Sequence, residues 1–400
     1  MNGVVVIGCG VGGWAVLRAM ARTPGIERIA LSAVPGEMGW HSRYADVRRI
    51  CPHPGTEEEA FVEFLLAQAP AWEGALLLPA GDFMAAALSK HREALEKVYR
   101  VGIGPWDLVR EFLEKDRLQV LAESAGVPVP RSVRVDPCAT ELAAKAVLDF
   151  PLWVKPVRSE RFMRRFGVKG FLAKDEPALE ALKVLMRDAG QPFLLQEVIP
   201  GPDALLERLD IYVSRNGGLL ARFPHNKFRQ HPPGFGVMRA GYSVASNPEA
   251  EELAERLLHK LRDYRGFASF KFKRDPRDKK LKLIEVNVRV TRPGLLATAA
   301  GVNFPELIYA DLVLGGAGPA PRARVGVWWI ELLPDLYYTF LHKDGRQYSW
   351  EEKLRPYRAQ HKVFGDFDPA DLRPFVRQVI RGWRRWIVRR RPVGIRAWPG

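Results

Sequence analysis

The sequence predicts an α/β protein made of successive units: an open parallel sheet with helices, a small second unit, and a larger strand-rich unit with a basic tail. Three observations carry this reading. Strand and helix patterns alternate through about the first hundred residues. Short apolar runs bounded by glycine and proline follow them. A chain of 400 residues with 47% apolar composition is long enough for two or three domains with cores of their own.

The N-terminal pattern reads as strand 4–7, helix 14–21, strand 28–34, helix 57–68, strand 75–79, helix 83–89 and strand 99–103. That is a Rossmann-like unit, placed at 1–110. One connecting helix, 106–125, is expected to stop at Gly126-Val127-Pro128-Val129-Pro130. A second unit, 111–190 with that helix, holds strands 152–155 and 170–173 and helix 177–189. A third, 191–315, holds strands 193–197, 209–214 and 219–223 and helix 248–264. It closes with strands 268–273 and 281–289, paired around an Asp275-Pro276-Arg277-Asp278 turn. Residues 316–400 read as a basic, Trp/Arg-rich C-terminal extension.

The net charge of +15 has much of its source in that extension, where Arg381, Arg384, Arg385, Arg389, Arg390, Arg391 and Arg396 interleave with Trp383, Trp386, Ile387 and Trp398. Such a segment could lie on an anionic membrane, guide a polyanionic substrate, or pack its tryptophans on the body of the protein. Plain packing is the expectation, with no specific nucleic-acid role. Cys9, Cys51 and Cys138 lie far apart, which fits a reduced cytoplasm and excludes a CxxC zinc knuckle or a disulfide framework. The opening residues read as a strand, not a signal peptide, and no apolar run is long enough to span a bilayer.

Gly8, Gly10 and Gly13 follow a strand and open a helix, as in the dinucleotide fingerprint. The second strand lacks the acidic end that binds a ribose, since nothing acidic precedes Glu37. An NAD-dependent oxidoreductase therefore rests on these glycines alone.

The segment 280–289 is more informative. Its alternation puts Glu285, Asn287 and Arg289 on one strand face, with Ile284, Val286 and Val288 on the other. Two hard oxygen ligands and a guanidinium suit a magnesium–phosphate site, although a half-exposed strand with a polar outer face gives the same pattern.

Taken in order, Glu114-Lys115-Asp116-Arg117, Pro151-Leu152-Trp153-Val154-Lys155-Pro156, Leu195-Gln196-Glu197-Val198-Ile199-Pro200-Gly201-Pro202-Asp203 and Glu285-Val286-Asn287 resemble the nucleotide site of the ATP-grasp superfamily. Ser42-Arg43-Tyr44, the Leu78 to Asp82 segment and Lys227-Phe228-Arg229-Gln230-His231-Pro232-Pro233 resemble its carboxylate–amine ligases similar to D-aspartate ligase. The resemblance spans roughly residues 1 to 315 and implies a pre-ATP-grasp unit followed by a two-lobed ATP-grasp domain.

It implies ATP and Mg²⁺ as cofactors and small-molecule carboxylate and amine substrates, joined through an acyl phosphate. Lys115, Lys155 and Lys169 would meet the phosphates, Gln196, Glu197, Val198 and Ile199 the adenine, and Asp203 the ribose. Glu285 and Asn287 would hold the metal and Arg289 the γ-phosphoryl group, with Lys227 and Arg229 on the substrate carboxylate or acyl phosphate. Pairing into homodimers is a further expectation of the resemblance.

Two departures stand out. Lys271 occupies a position where relatives carry a metal-binding glutamate, so that one Mg²⁺ suffices, Asp275 compensates, or catalysis is weakened or lost. The phosphate-covering loop, 158–167, is rich in arginine where glycine is usual. A non-catalytic nucleotide-binding protein is the alternative that Lys271 motivates.

Overall fold

A computed structural model of the chain describes residues 2–136, 148–157, 162, 166, 168 and 170–388, with side chains of the last helix as far as Arg381. Its first unit is a parallel five-stranded sheet of order β3-β2-β1-β4-β5. The strands are β1 (Gly3–Ile7), β2 (Glu27–Ser32), β3 (Val47–Ile50), β4 (Leu76–Pro79) and β5 (Arg100–Val101), with helices α1 (Val11–Met20), α2 (Glu58–Ala67) and α3 (Asp82–Lys90). All five residues of β1 are buried, because helices cover both faces of the sheet.

The expected connecting helix is two helices, α4 (Trp106–Leu113) and α5 (Lys115–Ser124). Glu114 between them is extended at φ −89°, ψ 118°, which makes Lys115 the first residue of α5. No glycine or proline marks this break, so residue pattern alone did not show it.

The second unit is a four-stranded antiparallel sheet of order β6-β9-β7-β8. It consists of β6 (Ser132–Val135), β7 (Leu152–Pro156), β8 (Phe171–Ala173) and β9 (Phe193–Glu197), with α6 (Glu176–Ala189) on one face. Asp175 caps α6 by accepting the Ala178 N–H, and Gly190 ends it at φ +60°.

The third unit is a seven-stranded sheet of order β14-β13-β10-β11-β12-β15-β16. Its strands are β10 (Leu206–Val213), β11 (Leu219–His231), β12 (Val237–Ser243), β13 (Gly266–Arg274), β14 (Leu281–Asn287), β15 (Trp328–Ile330) and β16 (Lys362–Phe364). Between them come α7 (Pro248–Lys260), α8 (Gly294–Ala299), α9 (Phe304–Leu312) and α10 (Trp350–Arg358); α11 (Leu372–Val388) ends the described chain.

Two features differ from expectation. Strand 219–223 extends to His231, because β12 gives it a partner. The sheet also runs past residue 315: Ala240, Gly241 and Tyr242 of β12 pair with Ile330, Trp329 and Trp328 of β15. Much of the expected extension is thus a strand-bearing part of the third unit, with Trp329 and Ile330 fully buried.

The first and third units share their cores. Leu209, Ile211, Phe270 and Phe272 belong to one apolar cluster with Val5, Ile7, Phe61 and Leu88. On the other side of the N-terminal sheet, Val4, Val6 and Val16 join Leu296, Ile308 and Trp329.

The C-terminal segment ties back to the start of the chain. Asp371 Oδ2 accepts from Ser42 Oγ at 2.6 Å and from the Arg43 N–H at 2.8 Å, while Trp14 Nε1 donates to Ser42 Oγ at 2.9 Å. Asp368 takes the Tyr44 hydroxyl at 3.0 Å and Arg18 at 2.9 Å. Ser42-Arg43-Tyr44 is therefore a dock for the distal chain in this fold.

Candidate functional site

Alternation sorts the third sheet into an apolar face and a polar one. On the polar face Glu285 of β14, Lys271 of β13, Arg208 of β10 and His225 of β11 are direct cross-strand neighbours. The next row holds Asn287, Ser269 and Asp210. Lys227 and Lys273 extend the same face. Cross-strand like charges such as Lys271 and Arg208 repel each other, so this surface is built to be completed by an anion. Within this face His225 Nε2 lies 3.4 Å from Asp210 Oδ2, while Arg208 Nε and His225 Nδ1 are buried with no hydrogen-bond partner among the described residues.

The second unit brings further lysines to this surface. Lys115, at the head of α5, donates to the Pro156 carbonyl at 2.9 Å, and Lys155 on β7 donates to Gln196 Oε1 at 2.5 Å. Burial pushes the Lys155 ammonium down to about 7, helped by Lys115 and Lys271 and opposed by Glu285. Burial also pushes Lys227 well down, with Lys271 and Arg208 adding to it and Glu285 and Asp203 opposing. These electrostatic neighbours bring Lys115 and Lys155 from one lobe together with Lys227, Lys271 and Glu285 from the other. Between the lobes Trp153 of β7 stacks on Phe235 of the β11–β12 turn at 4.1 Å.

The hinge after β9 is held from both sides. Gln196 Nε2 donates to Ser132 Oγ at 3.0 Å. Glu197 is buried, and its Oε1 accepts the Asp149 N–H at 3.1 Å and pairs with Arg131. The Val198 N–H goes to the Pro151 carbonyl at 3.2 Å. The Ile199 carbonyl takes Lys273 Nζ at 2.8 Å. Among the described residues these bonds leave over the Val198 carbonyl and the Ile199 N–H at the hinge edge. The Glu197 side chain, expected at the adenine, is instead a strut between β9 and the chain around Asp149. Asp203 Oδ1 accepts from Gln230 Nε2 at 2.6 Å and from the Gly234 N–H at 3.0 Å.

Two expected substrate residues part company. Lys227 is buried on the polar face and donates to Gln230 Oε1 at 2.5 Å. Arg229 does not hold substrate: its guanidinium lies in a bidentate pair with Asp335, both contacts at 2.7 Å, and it donates to the Glu352 and Lys353 carbonyls. The register shifts around Arg229 carry it out of the Lys227 row and into the packing of the distal chain. Arg289 Nε donates to Asp82 Oδ1 at 2.8 Å, joining the N-terminal unit to the end of β14. Lys169 and most of the arginine-rich loop lie outside the described residues.

Glu285 and Asn287 share one face, with Asn287 Nδ2 donating to Glu285 Oε1 at 3.4 Å. One carboxylate and one amide oxygen fit a Mg²⁺ that also takes phosphate oxygens and water. Lys271 Nζ lies 3.8 Å from Glu285 Oε1, so an ammonium stands beside this carboxylate where the resemblance implies a second glutamate. Asp275 does not compensate, because it is consumed within its own hairpin. Its Oδ1 accepts the Arg277 N–H at 3.0 Å, and Lys282 Nζ donates to Oδ2 at 2.7 Å.

The N-terminal glycine loop is also occupied by the protein itself. Glu37 Oε2 accepts the Cys9 N–H at 2.6 Å and Ser32 Oγ at 2.7 Å. A Cβ on Gly13 would lie 1.8 Å from the Gly8 carbonyl, so close helix–strand packing accounts for that glycine. An internal carboxylate where a pyrophosphate would sit removes the support for dinucleotide binding.

The sequence pattern alone does not single out Arg208 or Lys273, and it offers Gln230 only as a member of the 227–233 segment. The alternation of Arg208 with Asp210, and of Lys271 with Lys273, was visible. It becomes meaningful only once β10 and β13 are known to be adjacent.

No family model matches the sequence. The chain is 22% identical over 353 residues to D-aspartate ligase of Enterococcus faecium (strain Aus0004), covering 82% of each chain. Among solved structures it is similar to an ATP complex of biotin carboxylase from Campylobacter jejuni, with TM-score 0.65, 16% identity and coverage of 82% of this chain and 74% of that one. It is also similar to L-amino acid ligase from Bacillus licheniformis, with TM-score 0.56, 17% identity and coverage of 78% and 74%. At these identities the structural likeness speaks for the fold.

Proposed function

We propose that this chain, whose fold is that of the ATP-grasp proteins, is an ATP-dependent ligase that joins a carboxylate to an amine. The observation that supports it is the meeting of Lys115 and Lys155 with Lys227, Lys271 and Glu285 across two lobes. So many cations around so few carboxylates suit a triphosphate, and their number favours an acidic second ligand, such as a small amino acid with an extra carboxylate. The similarity to D-aspartate ligase agrees with that class.

In this reading Lys115 and Lys155 hold the phosphates from the second unit, and Lys271 holds them from the third. The Val198 carbonyl and Ile199 N–H read the adenine edge, and Asp203 Oδ2 takes the ribose. Glu285 and Asn287 would hold Mg²⁺, which supplies charge neutralisation between phosphate oxygens. Lys227 orients the substrate carboxylate, one oxygen of which attacks the γ-phosphorus as the bond to ADP breaks. The amine then attacks the acyl carbon, phosphate leaves, and the amine proton passes to solvent. The protein contributes position and charge and forms no bond of its own to the substrate.

Incubation with ATP, Mg²⁺ and an amino-acid pool should release ADP only when both carboxylate and amine are present, and hydroxylamine should trap the acyl phosphate as a hydroxamate. Absence of ATP binding would remove the proposal. Lys271 beside Glu285 favours one second reading, a nucleotide-binding protein without turnover, for which ATP protects against thermal unfolding and no ADP appears. Two copies pairing and a cytoplasmic setting are also proposals. The buried free thiols Cys9 and Cys51 support the second, as both are held neutral by burial.

A further inference from the structure

Helix α11 is amphipathic in an inverted sense. Pro374 is buried and Phe375 and Gln378 are half-buried against the body, where α11 packs on the short helical turn Met38–His41. Leu372, Val376, Val379 and Ile380, spaced as one helical stripe, are 49%, 48%, 44% and 46% exposed. Arg373, Arg377 and Arg381 are exposed and flank that stripe. A globular helix ordinarily turns such a stripe inward, whereas this one turns it out.

We infer that α11 lies on the surface of an anionic lipid bilayer, with its stripe among the acyl chains and its arginines at the headgroups. Charge complementarity selects this partner. Residues 372–400 contain nine arginines and no acidic residue. The same period continues in the sequence to Trp383 and Ile387, and an apolar stripe flanked by Arg with Trp is the composition of interfacial helices. Among the described residues no helix is long and apolar enough to cross a membrane, so the attachment is along the surface. The bonds from Asp368 and Asp371 to Arg18, Ser42 and Arg43 anchor the root of the helix to the folded body, so a bound helix holds the whole protein at the bilayer.

The test is co-sedimentation of the full chain with vesicles of phosphatidylglycerol and phosphatidylcholine, against vesicles of phosphatidylcholine alone. The chain should bind the anionic vesicles strongly and the neutral ones weakly. Replacing Arg373, Arg377 and Arg381 by glutamine should lower the partition constant about a hundredfold. The double change Val376→Glu and Ile380→Glu should lower it at least about tenfold with an unchanged urea midpoint, since both side chains are exposed. No binding to anionic vesicles overturns the inference. So does retained binding by the Val376→Glu, Ile380→Glu protein, which would leave the arginines acting alone. A drop in sedimenting mass from dimer to monomer in that variant also overturns it, because the stripe would then belong to a second copy. Vesicle binding needs no ATP, so its failure is distinct from failure of the ligase proposal.

Discussion

Binding of ATP should load a proton onto Lys155. In the free protein burial, Lys115 and Lys271 hold its ammonium down at about 7. At about pH 8 roughly nine-tenths of the population therefore carries a neutral amine. Phosphate oxygens beside it would return the group toward its ordinary value of about 10.4, where it is fully charged. Uptake attributable to Lys155 is then about 0.9 proton at about pH 8 and only about 0.1 at about pH 6. Because that proton must come from solvent, affinity for ATP should fall about tenfold per pH unit above about pH 7.

Calorimetry in buffers of different ionisation enthalpy measures the uptake. Lys227, also pushed down by burial, adds to the total, so the decisive quantity is the difference between the native protein and Lys155→Met. The variant should also bind ATP about 10- to 100-fold more weakly, the loss of one charge-assisted contact. Equal uptake by the two proteins, or none by either at about pH 8, would refute the argument. Stability responds to the same group in the opposite direction from ATP affinity. The unfolded chain keeps this proton up to about pH 10 and the free native chain does not, so the group adds stability as pH rises from about 7.

Other outcomes follow from contacts at or near the site. Lys271→Glu should weaken ATP binding in the absence of Mg²⁺ by about tenfold or more and steepen its Mg²⁺ dependence; unchanged metal-free affinity would take Lys271 out of the site. Arg229→Met leaves Asp335 buried without its cation, held only by the Tyr357 and Thr339 hydroxyls, and should cost about 3–5 kcal/mol in urea unfolding, against which a loss below about 1 would count. Asp371→Ala removes two bonds to Ser42 and Arg43, and should cost about 1–3 kcal/mol and loosen the root of α11, so that trypsin cleaves at its exposed arginines earlier than in the native protein. Asp275 is held well below the usual carboxylate range by Arg277, despite burial, and by Lys282. Its stabilising contribution should be present at neutral pH and disappear as acid protonates it, and Asp275→Asn should flatten the acid limb of the stability profile.

What the sequence made legible was local. Alternation placed Glu285 and Asn287 on one face because period-two patterning needs no tertiary information. The order of Lys115, Lys155, Glu197, Glu285 and Asn287 along the chain carried the resemblance to a nucleotide site, and of these the structure turns the Glu197 side chain to Arg131 and the Asp149 N–H. What stayed hidden depended on which strands are neighbours. Arg229 looked equivalent to Lys227 until the irregularity in β11 turned it toward Asp335, more than a hundred residues away in sequence. Glu197 looked like an adenine contact because its partner, Arg131, comes from another strand's approach. The break at Glu114 lacks a local turn signal, and the short apolar run 325–330 becomes β15 only because β12 gives it a partner.

The bond from Ser42 to Asp371 joins residues separated by 329 positions. A ribosome adding about 5–20 residues per second needs roughly 16–66 s to make that interval. For the larger part of it, once β5 has been made, the nascent N-terminal sheet lacks the segment carrying Asp371, and its Ser42 corner is open to solvent. Interruption of synthesis anywhere in this window would leave a truncated chain with that corner exposed. Such a fragment would be a natural client for chaperones, and the segment carrying Asp371 is the one that closes the corner.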